Sequence, residues 1–386
     1  MSIIAWILTL AIITGQLIKL PLSQNSGITL LDTTVLVLCI FGLFRLRFKL
    51  KKPPIFVKSA LFFILIALFS LILTPLRLSL PEYLTSFLYT GRFVAYILLS
   101  WLIFSGAFPT IKNNIPKILI FSGLALAILG LTQLIFWPDL GFLAKDSWDP
   151  HYFRTVSTFL DPNFLGGFLV LTLLLLTSKT RIGGSDRTPG VFYIVFFLIY
   201  LALLTTFSRG SYLAFFTAFI ILSFLHRSFR MGMITILLFL GLFLGFFTYQ
   251  KSVAQPRGVD RDRSAKSRLG TLQQGGMLFQ THFILGVGFN TYRYALEQYN
   301  LGDQEFLSSR GSSTNDSSLL FVAATTGIIG LSSFLFFIYS LIWTKKYNPL
   351  LIAGLSGLII QSFFSNTLFY PFNLIWIMLM SSKQYE

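Results

Sequence analysis

The sequence predicts an all-α, polytopic integral membrane protein of about twelve transmembrane helices, with one large outer loop carrying short helices. Three observations predict it. Of the 386 residues, 54% are hydrophobic and only 11% are charged, against roughly 25% charged in a soluble domain. Mean hydropathy is +0.75. The apolar residues, 43 Phe among them, fall in wide windows near the about 20 residues that a spanning helix needs. Residues 1–386 read as a single membrane domain. A lone cysteine, Cys39, lies in an apolar run and excludes an internal disulfide framework. The net charge of +16 has no soluble basic domain to carry it. Nucleic acid is therefore no partner, and much of the charge serves topology.

The expected spans, in order, are 3–22, 28–44, 55–75, 83–106, 117–137, 162–177, 191–207, 211–226, 231–249, 316–343, 348–365 and 367–381. The first lacks a charged leader region and a small-residue cleavage site, so it reads as a retained anchor. Pro371 shortens the last. Basic residues follow every second span: Arg45 to Lys52, then Lys112 and Lys117, Lys179 to Arg187, Arg227 and Arg230, Lys345 and Lys346, and Lys383. The positive-inside rule puts these loops, and both termini, in the cytoplasm. Charges inside spans are functional candidates by default. Arg92 is one, near the centre of its span, whereas Lys58 and Asp32 sit near span ends.

Residues 250–315 then form a large extracytoplasmic loop. It is rich in cations, from Lys251 through Arg257, Arg261, Arg263 and Lys266 to Arg268, against Asp260 and Asp262. Such a loop suits contact with anionic membrane lipids or with a phosphate-bearing ligand. Helical patches are expected around 268–280 and 291–299, with a turn at Gly286-Val287-Gly288 between them.

Four stretches stand out. Arg154 opens Arg154-Thr-Val-Ser-Thr-Phe-Leu-Asp161-Pro162-Asn163, whose end is a helix-start signal. Ser208-Arg209-Gly210 is the tip of a helical hairpin, where a cation stands at the hydrocarbon edge and needs an anion. Ser267-Arg268-Leu269 precedes Gly286-Val287-Gly288-Phe289. Asn315-Asp316-Ser317 opens a span that contains Gly327-Ile328-Ile329-Gly330-Leu331. Read from spacing, Asp316 serves either as an N-cap or as a functional carboxylate, and Arg154 either as a phosphate ligand or as a helix-end cap.

Together, in this order over 150–335, these stretches resemble the O-antigen ligase and polymerase family of bacterial envelope proteins. The resemblance implies a metal-independent, cofactor-free, inverting glycosyltransferase of the bacterial cytoplasmic (inner) membrane, with its active site on the outer face. Such an enzyme moves a glycan from a polyprenyl diphosphate carrier, usually undecaprenyl, to an acceptor hydroxyl on a glycan, a lipid or a protein. Carried over residue by residue, Arg209 matches the family's hairpin arginine and Arg268 its loop arginine, both expected to hold the diphosphate. Arg154 is a possible helper, and Asn315 joins the substrate-binding residues. The family's histidine at the start of the tenth span is replaced here by Asp316. His151, His226 and His282 all lie elsewhere. The rival from another class is a transporter or flippase for an anionic lipid or solute. The gathering of charged motifs on one face disfavours it.

Overall fold

A computed structural model describes residues 1–23, 26–146, 148, 150–179, 189–255, 261–343 and 348–384. The basic residues Arg181, Arg187, Arg257, Lys345 and Lys346, and Asp260, lie outside that set. Helices dominate, as apolar windows demand when no water is present to satisfy the backbone.

The first expected span is shorter than its apolar window. Helix α1 (Ile3–Ile13) ends before Gly15, whose φ is +57°. Pro21 cannot continue a helix. The chain instead forms a hairpin of β1 (Lys19–Ser23) and β2 (Ser26–Thr29), with Lys19 opposite Thr29. The hairpin shortens the first expected span, and the fold is otherwise all-α as expected. Helix α2 (Leu30–Arg45) starts on a capping box in which Asp32 accepts from Thr29 and Thr29 accepts from Asp32 N–H. Asp32 near the start of this span is thereby buried and hydrogen-bonded. It also pairs with Arg92 at 2.9 Å and accepts from the Tyr96 hydroxyl at 3.0 Å. The mid-span cation thus has a built-in partner.

Helices α3 (Ile55–Ile72) and α4 (Leu80–Ser105) follow, then α5 (Pro109–Phe136). The last begins earlier than expected. Lys112 and Lys117 therefore lie within it rather than in a loop. Asp161 starts α6 (Pro162–Lys179) by accepting from the N–H groups of Asn163 and Phe164. Helices α7 (Pro189–Thr205), α8 (Arg209–Leu225) and α9 (Phe229–Tyr249) come next. The long loop then folds into α10 (Arg261–Thr281), α11 (Tyr292–Gln298) and the short α12 (Gln304–Ser308). The expected patches at 268–280 and 291–299 fall on α10 and α11. Helices α13 (Ser318–Ile342), α14 (Pro349–Gln361) and α15 (Pro371–Gln384) complete the chain.

Among the described residues, five helical stretches are long and apolar enough to cross a membrane: Ile55–Ile72, Leu80–Phe104, Pro109–Phe136, Phe229–Ala254 and Arg310–Ile342. Shorter apolar helices, such as Pro162–Thr177, Arg209–Leu225 and Pro349–Gln361, pack among them. The protein is an integral membrane protein of long and short apolar helices.

Helix α13 is interrupted. Gly327 takes φ +65° and ψ −167°. The Gly286–Gly288 turn docks into the break: Val287 N–H donates to Ala324 O (3.0 Å), Gly288 N–H to Thr325 O (2.9 Å) and Ile328 N–H to Phe283 O (2.8 Å). Ser70 of α3 adds a hydroxyl that reaches both Leu285 O and Thr325 O. The freed helix carbonyls are thereby satisfied by protein, the only way such a break survives at membrane depth. Two separate glycine motifs of the sequence are thus one structural joint.

Candidate active site

The site grows from two helix starts. Ser208 caps α8, accepting from Ser211 N–H, and leaves Arg209 as the first helical residue. A buried polar cluster holds this turn. Ser208 Oγ donates to Asn163 Oδ1 of α6 at 2.7 Å, and Ser211 Oγ donates to Asn163 O at 3.1 Å. Gln361 of α14 donates to Asn163 O at 2.7 Å and to Ser211 Oγ at 3.0 Å. Gly166 admits Ser211 because a Cβ there would stand 2.3 Å from its Oγ. Arg209 is left exposed above the cluster, its guanidinium 5.6 Å from the Phe246 ring. No carboxylate pairs with it among the described residues. A cation at the positive end of a helix is unfavourable, by about 0.3–1 kcal/mol, until an anion joins it.

The second helix start is that of α13. Ser317, not Asp316, is its N-cap, accepting from Leu320 N–H at 3.3 Å. Asn315 is fully buried. Its Nδ2 donates to Thr271 O and to the Tyr292 hydroxyl (2.8 Å), and its Oδ1 accepts from Ser317 N–H (2.9 Å). It therefore braces α10, α11 and α13. Asp316 is half-buried, and its Oδ2 accepts from Thr271 Oγ1 at 2.9 Å. The same Thr271 hydroxyl reaches Arg268 O at 2.9 Å. Arg268 and Thr271 are three apart on α10 and share one face. Gly275, one turn on, meets Asn315 closely. That face carries Arg268 to the side of α13 where Asp316 begins. Burial pushes the Tyr292 hydroxyl up to about 12, a rise that the Asn315 hydrogen bond opposes and the charge of Asp316 reinforces.

The two starts adjoin through the end of α14. Ser318 N–H donates to Ser362 O at 2.9 Å, and Ser362 follows Gln361 directly. Two hydrogen bonds, Ser318 to Ser362 and Gln361 to Ser211, thus join the chain segments that carry Asp316 and Arg209.

Arg154 belongs to a different job within the same region. It is buried, with Nε donating to Thr206 O at 2.8 Å and Nη2 to Phe207 O at 3.4 Å. It holds the carbonyls at the end of α7, just before the Ser-Arg-Gly turn. None of the three histidines occupies the position before α13 that Asp316 holds. His226 ends α8, a helix of 17 residues, roughly 25 Å from Arg209 at the opposite end. His282 is bonded to the Tyr299 hydroxyl at 2.7 Å, and its pKa is lowered by burial. His151 is buried near the start of the Arg154 stretch.

Sequence reasoning missed Gln361, Asn163 and Thr271 as organisers of the site. A glutamine inside the apolar run of α14 is a signal. Its meaning is invisible without the partner 198 residues away.

Residues 194–335 match the family model described as O-antigen ligase. The match takes in Arg209, Arg268, Asn315, Asp316 and the Gly286–Gly327 joint, and leaves Arg154 outside. Over that segment the chain is similar to the O-antigen ligase family, in agreement with the resemblance carried by its motifs. No curated protein matches the chain. That similarity to glycosyltransferase-like enzymes supports a role in surface polysaccharide assembly. The family segment also contains the docked glycine turn, so the match covers the frame as well as its charged residues.

Proposed function

We propose that the protein transfers a glycan from a polyprenyl diphosphate carrier to an acceptor hydroxyl at the outer face of the inner membrane, with inversion at the anomeric carbon. Arg209 and Arg268 bind the diphosphate. The acceptor oxygen attacks the anomeric carbon, the bond to the diphosphate breaks, and the leaving group takes the electron pair. Guanidinium groups in a poorly solvated site stabilise that developing charge. Asp316 accepts the hydroxyl proton, a role open to a carboxylate where desolvation offsets the pull of nearby arginines. Arg154 acts on the site by fixing the turn that carries Arg209, and Asn315 by fixing the one that carries Asp316.

The observation that carries this reading is the exposed Arg209 at a positive helix end. It is held by a buried polar cluster that also leads to Asp316. A polymerase, with a lipid-linked acceptor, fits the aspartate in place of the family histidine. Purified protein supplied with polyprenyl diphosphate-linked repeat units is expected to release polyprenyl diphosphate and to build a ladder of lengthening glycan on a gel. Arg209→Ala should lower turnover about 10²–10³-fold and weaken donor binding. Asp316→Asn should lower turnover about 10²–10⁴-fold with donor binding kept. Full activity in Arg209→Ala would place the diphosphate elsewhere.

A further inference from the structure

The turn that presents Arg209 is built on a strained residue. Only Thr206, Phe207 and Ser208 separate α7 from α8. Phe207 takes φ +47°, in the left-handed region. Glycine or asparagine is the ordinary choice there, and a bulky aromatic is an outlier that surrounding contacts must hold. Three contacts hold this one. The Phe207 N–H donates to Leu204 O at 3.2 Å. Its carbonyl accepts from Arg154 Nη2 at 3.4 Å. Its ring lies flat on the Tyr249 ring, with centroids 3.9 Å apart and planes 9° from parallel.

Tyr249 is the buried last residue of α9. Its hydroxyl donates to Tyr152 O at 2.7 Å. Tyr152 shortly precedes Arg154 in the chain, so the contacts close into a circuit. Tyr249 reaches the Arg154 stretch, Arg154 reaches Phe207, and Phe207 returns to Tyr249. Phe246, one turn earlier on the same face of α9, is the ring beside the Arg209 guanidinium. The end of α9 therefore backs both the backbone of the turn and the head of its arginine. Strain held in this way at a ligand-facing turn is a mark of pre-organisation. Released, Phe207 would relax to negative φ. Ser208, the cap of α8, and Arg209 follow it directly, so the guanidinium would leave its place.

We propose that Tyr249 is a positioning residue for Arg209. Its stack on Phe207 keeps the Ser-Arg-Gly turn in the backbone state that aims the guanidinium at a lipid-linked diphosphate. This rests on the proposed role of Arg209 as a diphosphate ligand. Tyr249 acts through Phe207, not on the substrate. It spares the turn the cost of ordering when the anion arrives.

The test measures polyprenyl diphosphate binding to full-length protein in nanodiscs, beside the donor and acceptor KM of glycan transfer. Tyr249→Leu removes the stack and should weaken binding about 10–100-fold, with donor KM raised and acceptor KM unchanged. Tyr249→Phe keeps the ring and should bind close to wild type. Phe207→Leu removes the same stack from the other side, and it carries the test if Tyr249→Leu does not fold. Because both act through one contact, the double variant Phe207→Leu/Tyr249→Leu should bind no more weakly than the weaker single variant. Wild-type binding in both single variants, beside a loss in Arg209→Ala, overturns the proposal and leaves the donor site standing. Losses that multiply in the double variant overturn it as well, as does a Tyr249→Phe variant as weak as Tyr249→Leu. An acceptor KM that rises in step with the donor KM marks a general structural role and overturns it too. Wild-type binding in Arg209→Ala overturns the donor reading itself, and the role of Tyr249 with it.

Discussion

Asn315 and Asp316 are neighbours with opposite situations. Asn315 is fully buried, with its amide bonded on both sides. Asp316 is half-buried beside Thr271. Removing a buried partner leaves other polar atoms unsatisfied, at a cost of about 1–3 kcal/mol. Asn315→Ala should therefore lower the midpoint of unfolding in detergent, while Asp316→Asn should leave it nearly unchanged and lose activity. Equal losses of stability in the two variants would make Asp316 a structural residue. Lys19 offers a second test at this scale. Its folded pKa of about 8 lies below the ordinary 10.5, with Arg310, Arg92 and Asp32 as the charged groups that face it. Between those values the unfolded chain holds the proton and the folded one does not. Stability should then rise as pH climbs from about 8 to about 10.5. Thermal unfolding of Lys19→Met across that window should show a flatter profile than wild type.

At the scale of elements, the joint between α13 and the Gly286–Gly288 turn matters most. Gly327 has φ +65°, and a Cβ there would meet Ile284 O at 2.2 Å. Backbone atoms cannot yield to such a contact as a flexible side chain would. Gly327→Ala should cost more than about 2 kcal/mol, combining left-handed strain with the clash. Equilibrium unfolding checks it, and an effect below about 0.5 kcal/mol would show that the break relaxes. The glycines were legible in the sequence, and so was the turn at 286–288. Their meeting was not, because an apolar window reads the same whether its helix is continuous or broken. The shortened α1 has the same origin: hydropathy saw 3–22 as one run, and Gly15 and Pro21 decided where the helix stopped.

For the whole molecule, the charge pattern predicts that the long loop is outside and the basic loops inside. Cysteine labelling in spheroplasts tests this, and the buried Cys39 keeps background low. Gln304→Cys should react with a membrane-impermeant maleimide in intact spheroplasts. Lys49→Cys should react only after permeabilisation. Reversed labelling would turn the site to the cytoplasm, where no lipid-linked glycan of the outer leaflet could reach it.

Hydropathy, helix caps and charge asymmetry are local properties, so the sequence by itself determined the membrane class, most of the helices and the motifs that hold the charged residues. The resemblance of its motifs pointed to Arg209, Arg268 and Asp316. What tertiary structure decided was which residues share a place. Gln361 reaches Asn163 and Ser211 across most of the chain. Arg154 spends its guanidinium on the end of α7. Arg92 is held by Asp32 and by the Gly27 carbonyl. Those pairings depend on how helices pack, and packing is set by shape and hydrogen-bond satisfaction between distant segments, which no local window records.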